Sequence, residues 1–120
     1  MTTTRQEKVR ELLKSEISDI IRRGIKDPRL GFVTVTDAEV SADLKHARVF
    51  ISVLGDDAKR DESFKILQRA TRFVRGEFAK QANMKFTPEI MFEVDRAIEQ
   101  GSRMFELLEK IKKEDAGEGA

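Results

Sequence analysis

The sequence predicts an α+β domain of two layers, with helices packed on one face of a three-stranded sheet. Two periodicities and their order carry that reading. Apolar residues recur every three or four positions over 5–23, 64–82 and 97–113, the spacing of helices with one buried side. They alternate over 32–40, 46–54 and 87–95, the spacing of half-buried strands. The resulting order is helix, strand, strand, helix-bend-helix, strand, helix, and helices in that arrangement can cover one face of a small sheet.

The chain of 120 residues suits one domain, taken as 1–113, with the polar, glycine-rich 114–120 as a disordered tail. Hydrophobic residues at 39% and charged residues at 38% describe a globular chain with a heavily charged surface. Cysteine is absent, which excludes disulfides, thiol nucleophiles and thiolate metal sites. No apolar run reaches membrane-span length and the start, MTTTRQEK, has no apolar signal core, so a cytoplasmic monomer without membrane contact is expected.

Taken in order, residues 1–4 should fray. Val9, Leu12, Leu13, Ile17, Ile20 and Ile21 then form one helical stripe ending near Arg23, with Gly24 placed for a left-handed cap. The opposite side mixes Arg5, Lys8, Arg10 and Lys14 with Glu7, Glu11, Glu16 and Asp19, the composition of a solvated face. The helix end differs. Arg22, Arg23, Lys26 and Arg29 cluster there around Asp27-Pro28 as candidate anion contacts.

In the first strand Val33 and Val35 share a face opposite Thr34 and Thr36, and the apolar phase shifts to Ala38 and Val40 after Asp37, which predicts a bulge. Residues 41–44 are a short link, so the second strand should pair with the first as an antiparallel hairpin. In that strand Ala47, Val49, Ile51 and Val53 face inward, while Arg48, Phe50 and Ser52 face out. Arg48 is a further candidate contact, and Phe50 beside it is either a stacking platform or an ordinary covered aromatic. A GDDAK turn at 55–59 precedes a helix that Asp61 is placed to cap.

The segment from Phe64 to Lys85 combines two signals. Phe64, Leu67, Thr71, Val74 and Phe78 form one row, and Ile66, Ala70 and Phe73 a second beside it. Between them stand Lys65, Arg69, Arg72, Arg75, Lys80 and Lys85 against a single acid, Glu77. That stretch therefore carries +5 in a chain of net charge +1. An ordinary solvated helix would intersperse acids as i,i+4 partners, so a cationic face for a polyanion is the stronger reading. The helix should bend in its middle, with Gly76 as the weak point, and end by Asn83. Thr87-Pro88 opens the third strand, where Ile90, Phe92 and Val94 face inward. Ile98, Met104, Leu107, Leu108 and Ile111 then mark a last helix over about 97–113.

Catalytic signals are missing. There is no G-x-x-x-x-G-K-[ST] and no G-x-G-x-x-G before a helix. His46 is the sole histidine and lacks a nucleophile partner. Asp56, Asp57, Asp61 and Glu62 have the composition of a hard-metal site, hence of a small metal-dependent nuclease, but acidic turns and helix starts are commonplace. No catalytic residue, metal ligand or cofactor is assigned. The competing binding function is a protein–protein adaptor that docks an acidic partner through the basic helix.

The order of elements resembles a type II KH domain, and local strings resemble the ribosome-binding factor A family of bacterial small-subunit assembly factors. The matching pieces are the Arg5-to-Ile21 helix, Lys26-Asp27-Pro28-Arg29-Leu30, Val33-Thr34-Val35-Thr36 and Val40-Ser41-Ala42-Asp43-Leu44. They continue with Ala47-x-Val49-x-Ile51-Ser52, Phe73-Val74-Arg75, Thr87-Pro88-Glu89-Ile90-x-Phe92-x-x-Asp95 and Gly101, from about residue 5 to 108. The resemblance implies a non-enzymatic RNA-binding protein that joins immature small (30S) subunits. It further implies a part in maturation of 16S rRNA, notably at its 5′ end and in the cold. The partners it implies are the subunit and its rRNA, with other assembly factors or assembly GTPases beyond them. The family lacks the GxxG loop of ordinary KH domains and bends its long helix at Ala-x-Gly. Here Ala70 fits, but Arg72 holds the glycine position, which favours a continuous helix and adds a cation.

Overall fold

The computed structural model describes residues 2–97 together with Leu108 and Ile111. Helix α1 spans Thr4–Gly24, strands β1 and β2 span Val33–Val40 and His46–Val53, helices α2 and α3 span Asp57–Arg69 and Thr71–Ala82, and strand β3 spans Glu89–Val94. The last helix expected at about 97–113 and the tail at 114–120 fall outside the described residues, apart from helical backbone at Arg96, Ala97, Leu108 and Ile111.

The sheet has the order β1-β2-β3, with β1 antiparallel to β2 and β3 parallel to β2. A parallel neighbour needs a long crossover, and α2 with α3 supplies it. The expected bulge is present: pairing passes from Val35↔Ile51 to Asp37↔Phe50, leaving Thr36 as the extra residue. The inward alternation also holds. Ala47, Val49, Ile51 and Val53 of β2 are buried, as are Ile90 and Phe92 of β3. They meet Val9, Leu13, Ile17, Ile20 and Ile21 of α1, Leu67 of α2, and Val74 and Phe78 of α3 in one core. None of the described helices is long and apolar enough to cross a membrane.

Four expectations are corrected. Of the residues expected to fray, Thr3 and Thr4 are ordered into α1, because Thr3 caps it: its hydroxyl accepts from the Gln6 amide at 3.1 Å, and Gln6 Oε1 accepts from the Thr3 amide at 2.9 Å. Gly24 has no left-handed conformation; the chain leaves α1 through Ile25 in an extended one. Asp56 rather than Asp61 caps α2, accepting from the Lys59 amide at 2.8 Å.

The last correction concerns the bend, which lies at Ala70 (φ −88°, ψ 2°), ahead of both Arg72 and Gly76. Its amide is shared between the Ile66 and Leu67 carbonyls at 3.0 and 3.1 Å. The Thr71 hydroxyl donates to that same Leu67 carbonyl at 3.1 Å. A hydroxyl competing for the i−4 carbonyl bends a helix, so no glycine is needed, and α3 runs unbroken through Gly76.

Candidate nucleic-acid interface

Arg22 and Arg23 occupy the last turn of α1, where cations suit the carbonyl end of the helix. Beyond it the chain makes a tight turn in which the Leu30 amide bonds the Asp27 carbonyl at 3.0 Å. Asp27 organises this turn. Its carboxylate accepts from the Arg29 amide at 2.9 Å and from the Arg29 guanidinium at 3.1 and 2.8 Å. The Arg29 side chain, then its amide, thereby hold the Asp27 pKa down at about 2.

Two bonds from α2 fix the loop. Lys59 Nζ donates to the Arg29 carbonyl at 2.6 Å, and the Gly31 amide donates to Oγ of the fully buried Ser63 at 2.9 Å. The tethered loop lies against the α2–α3 junction and encloses a shallow depression of about 370 Å³. Lys26, Asp27 and Arg29 line it from the loop, and Arg69, Ala70 and Phe73 from the two helices, with Ile25 and Ile66 between them.

The sequence-predicted cations fall into three groups. Lys26, Arg29 and Arg69 are brought together around the depression. Arg23 and Arg72 adjoin its Gly24 and Phe73 in sequence, and Lys65 lies on α2 one turn before Arg69. Among the described residues Arg23, Lys26, Lys65, Arg69 and Arg72 are exposed and make no ion pair. Arg72 also stands in a first helical turn that carries no acid and no side-chain cap, against the ordinary preference of that position for negative charge.

A second group is engaged with the protein. Arg75 donates from Nε to the Pro88 carbonyl at 3.1 Å and from Nη2 to the Thr87 carbonyl at 2.9 Å, and stands 3.6 Å from Glu89. It fastens α3 to the start of β3. Lys80 pairs with Glu77 at 3.1 Å, and Arg22 pairs with Asp19. A third group stands apart from the depression. Arg48 is on the outward face of β2, 3.7 Å from Glu93, with Phe50 half-buried on the same side. Lys85 lies in the segment after α3, with its Nζ 5.7 Å from the Phe86 ring centroid.

The acidic turn has local partners of its own. Asp56 is the α2 cap, Asp57 pairs with Arg60 at 2.9 Å, and Glu62 lies 3.5 Å from Lys59. Among the described residues no group of three or more His, Cys, Asp or Glu is placed to hold a metal ion. Sequence reasoning missed Ser63 and Lys59, which hold the loop, and treated the row Ile66, Ala70 and Phe73 as packing surface. Ile66 is buried as that reading requires, but Phe73 is exposed and left out of the core, and the row also lines the depression.

A family model described as Ribosome-binding factor A matches residues 5–108. The chain is 49% identical to ribosome-binding factor A of Halothermothrix orenii over 115 residues, covering 96% of this chain and 94% of that one. It is 43% identical to the Desulforamulus reducens protein of that name, covering 93% of each. Among solved structures it is similar to a Thermotoga maritima protein described as a putative ribosome binding factor A, with a TM-score of 0.68 and 32% identity, covering 78% of this chain and 89% of that one. A homology model of the Thermus thermophilus factor, fitted into an electron-microscopy map of a 30S complex of that factor, gives a TM-score of 0.62 and 25% identity. That likeness covers 72% of this chain and 91% of the other.

Proposed function

Because this chain belongs to the ribosome-binding factor A family, we propose that it is a non-catalytic assembly factor that binds the free or immature small (30S) ribosomal subunit through its 16S rRNA. One observation carries the reading: the end of α1, its following loop and the α2–α3 bend converge on one concave surface edged by Lys26, Arg29 and Arg69. Of these, Lys26 and Arg69 are exposed and make no ion pair, whereas Arg29 is paired with Asp27. Exposed cations free of ion pairs suit phosphate oxygens, which neutralise them with release of counterions. Arg23, Arg72 and Lys65 extend the same footprint, and Arg48 and Lys85 are outlying contacts. Arg22, Arg75 and Lys80 contribute what their internal partners leave available.

The finer reading follows the family. The protein assists late maturation of 16S rRNA, including processing at its 5′ end, and does so most at low temperature. It works in the cytoplasm as a monomer, alongside other assembly factors or assembly GTPases.

The test uses purified small subunits and the triple variant Lys65→Glu, Arg69→Glu and Arg72→Glu. The variant should keep its melting transition and lose nearly all subunit binding, while the wild-type protein in a lysate gradient travels with free small subunits. Undiminished binding by the triple variant would reject the basic surface. Capture of a purified acidic protein, unaffected by RNase, would point to an adaptor instead. Cells lacking the protein should accumulate 16S precursor extended at the 5′ end, more so in the cold.

A further inference from the structure

A surface that only gripped phosphates would need cations and amides, yet this depression also has apolar walls and an aromatic ring. Phe73 is 43% exposed, whereas Phe78, on the same helix, is fully buried. The ring is also held in place. A Cβ built on Gly24 would stand 2.8 Å from Phe73 Cε1 and 2.9 Å from Cζ, so the last residue of α1 packs directly against it. Ile25 and Ile66 add apolar surface beside the ring, and Lys26 and Arg69 supply charge at the margin. The one acid there, Asp27, has its charge matched by Arg29.

We infer that this depression takes one unpaired nucleobase of single-stranded RNA, stacked on Phe73, with the adjoining phosphates met by Lys26 and Arg69. The inference rests on the RNA-binding reading above and deepens it by naming the form of RNA. A base presents an apolar face between two anionic linkages, which matches an apolar wall with a cationic margin. Bases stacked inside a duplex cannot present that face to a side chain, so single-stranded segments are the form read by aromatic stacking. The chain has no Trp or Tyr, and Phe73 is the aromatic that borders this depression. An apolar peptide would fit the walls but leave the cations without partners.

Stacking and phosphate contact separate by salt. The cations set the slope of log K against log salt, whereas removing a stacked ring lowers affinity without changing that slope. Phe73→Leu, Phe73→Tyr and Arg69→Ala are compared for binding to purified small subunits at several salt concentrations, and to a fluorescent single-stranded oligouridylate and a duplex RNA of equal length. Phe73→Leu should weaken subunit and oligouridylate binding by roughly 5- to 150-fold at every salt, the range for loss of one base–aromatic stack. Phe73→Tyr should stay close to wild type, and Arg69→Ala should flatten the salt slope. Wild type should prefer the oligouridylate to the duplex, and Phe73→Leu should lose that preference. Steep, salt-sensitive subunit binding indifferent to Phe73→Leu would overturn the inference and leave the RNA-binding reading standing. Phe73-dependent oligouridylate binding without subunit binding would uphold the inference and reject that reading. Equal binding of duplex and single strand would overturn the inference.

Discussion

Asp37 holds the Arg10 guanidinium on one oxygen, with Oδ1 3.0 Å from Nε and 2.6 Å from Nη2. The same Nε reaches the Ala38 carbonyl at 2.9 Å, and Oδ1 also accepts from the Ala38 amide at 2.8 Å. These bonds sit on the β1 bulge and join it to α1, so they fix the point at which the strand changes phase. Burial pushes the Asp37 carboxyl up, but the Ala38 amide and Arg10 outweigh it and the pKa ends below its ordinary value.

That depression has a signed consequence. A carboxylate with a folded-state pKa below its unfolded one, about 4, stabilises the fold at neutral pH and loses that contribution as pH falls through the folded value. Asp37→Asn keeps the shape and loses the charge. Wild type should therefore exceed Asp37→Asn in stability at pH 7, with the gap closing as pH falls below about 4. Urea denaturation of both proteins at several pH values measures it, and the other acids cancel in the difference. A gap that widens on acidification would contradict the assigned partners.

The core assignment is tested at Ile17 and Ile51, both fully buried, one on α1 and one on β2. Truncation of a buried isoleucine loses transfer energy and leaves a cavity, so Ile17→Ala and Ile51→Ala should each cost about 2–5 kcal/mol. Chemical denaturation gives the values directly. A loss below about 0.5 kcal/mol at both, the scale of a surface change, would place these side chains outside the core.

Two glycines should respond oppositely to alanine. Gly76 lies inside α3, and a Cβ there meets nothing within 4 Å, so Gly76→Ala should raise stability by about 0.5–1 kcal/mol through reduced backbone freedom. Gly24 has no room, because its Cβ would collide with the Phe73 ring. Gly24→Ala should instead displace that ring, giving no stability gain despite better helix propensity. Thermal unfolding of the two variants decides it, and a Gly76→Ala loss would revive a bend at that residue.

Much of this was legible because burial leaves a period. The rows Val9 to Ile21 and Ala47 to Val53 identify their own buried faces, and the phase change after Asp37 marks the bulge. The bend was harder to place. Its agent is the Thr71 hydroxyl on the Leu67 carbonyl, whereas the sequence draws attention to Gly76. Nor does spacing reveal that Arg75 is committed to the Thr87 and Pro88 carbonyls while Arg72, three residues earlier, is not. The depression is the extreme case, since its two walls come from distant segments joined by Lys59 and Ser63, which look like ordinary helix residues.

Arg72 and Arg75 accordingly give the sharpest contrast. Arg72 is exposed with no protein partner among the described residues, so Arg72→Ala should change stability by no more than about 0.5 kcal/mol. Its contribution should appear in binding. If about five cations, including Arg72, meet phosphates, log K should fall against log salt with a slope of roughly −3 to −5, and losing one should flatten it by about 0.7–0.9. Arg75→Ala should behave in reverse, because it removes two bonds to backbone carbonyls that hold the start of β3 against α3. Hydrogen bonds from a charged donor contribute about 1.5–3 kcal/mol each when desolvated; with Arg75 41% exposed, the lower end of that range is expected for the pair together. Arg75→Lys should recover little of it, since an ammonium cannot span both carbonyls as the guanidinium fork does. Denaturation midpoints and subunit binding at two salt concentrations are to be measured on all three variants. Arg72→Ala with wild-type affinity at both salts would remove Arg72 from the interface. Arg75→Ala with undiminished stability and a flattened salt slope would move Arg75 into it.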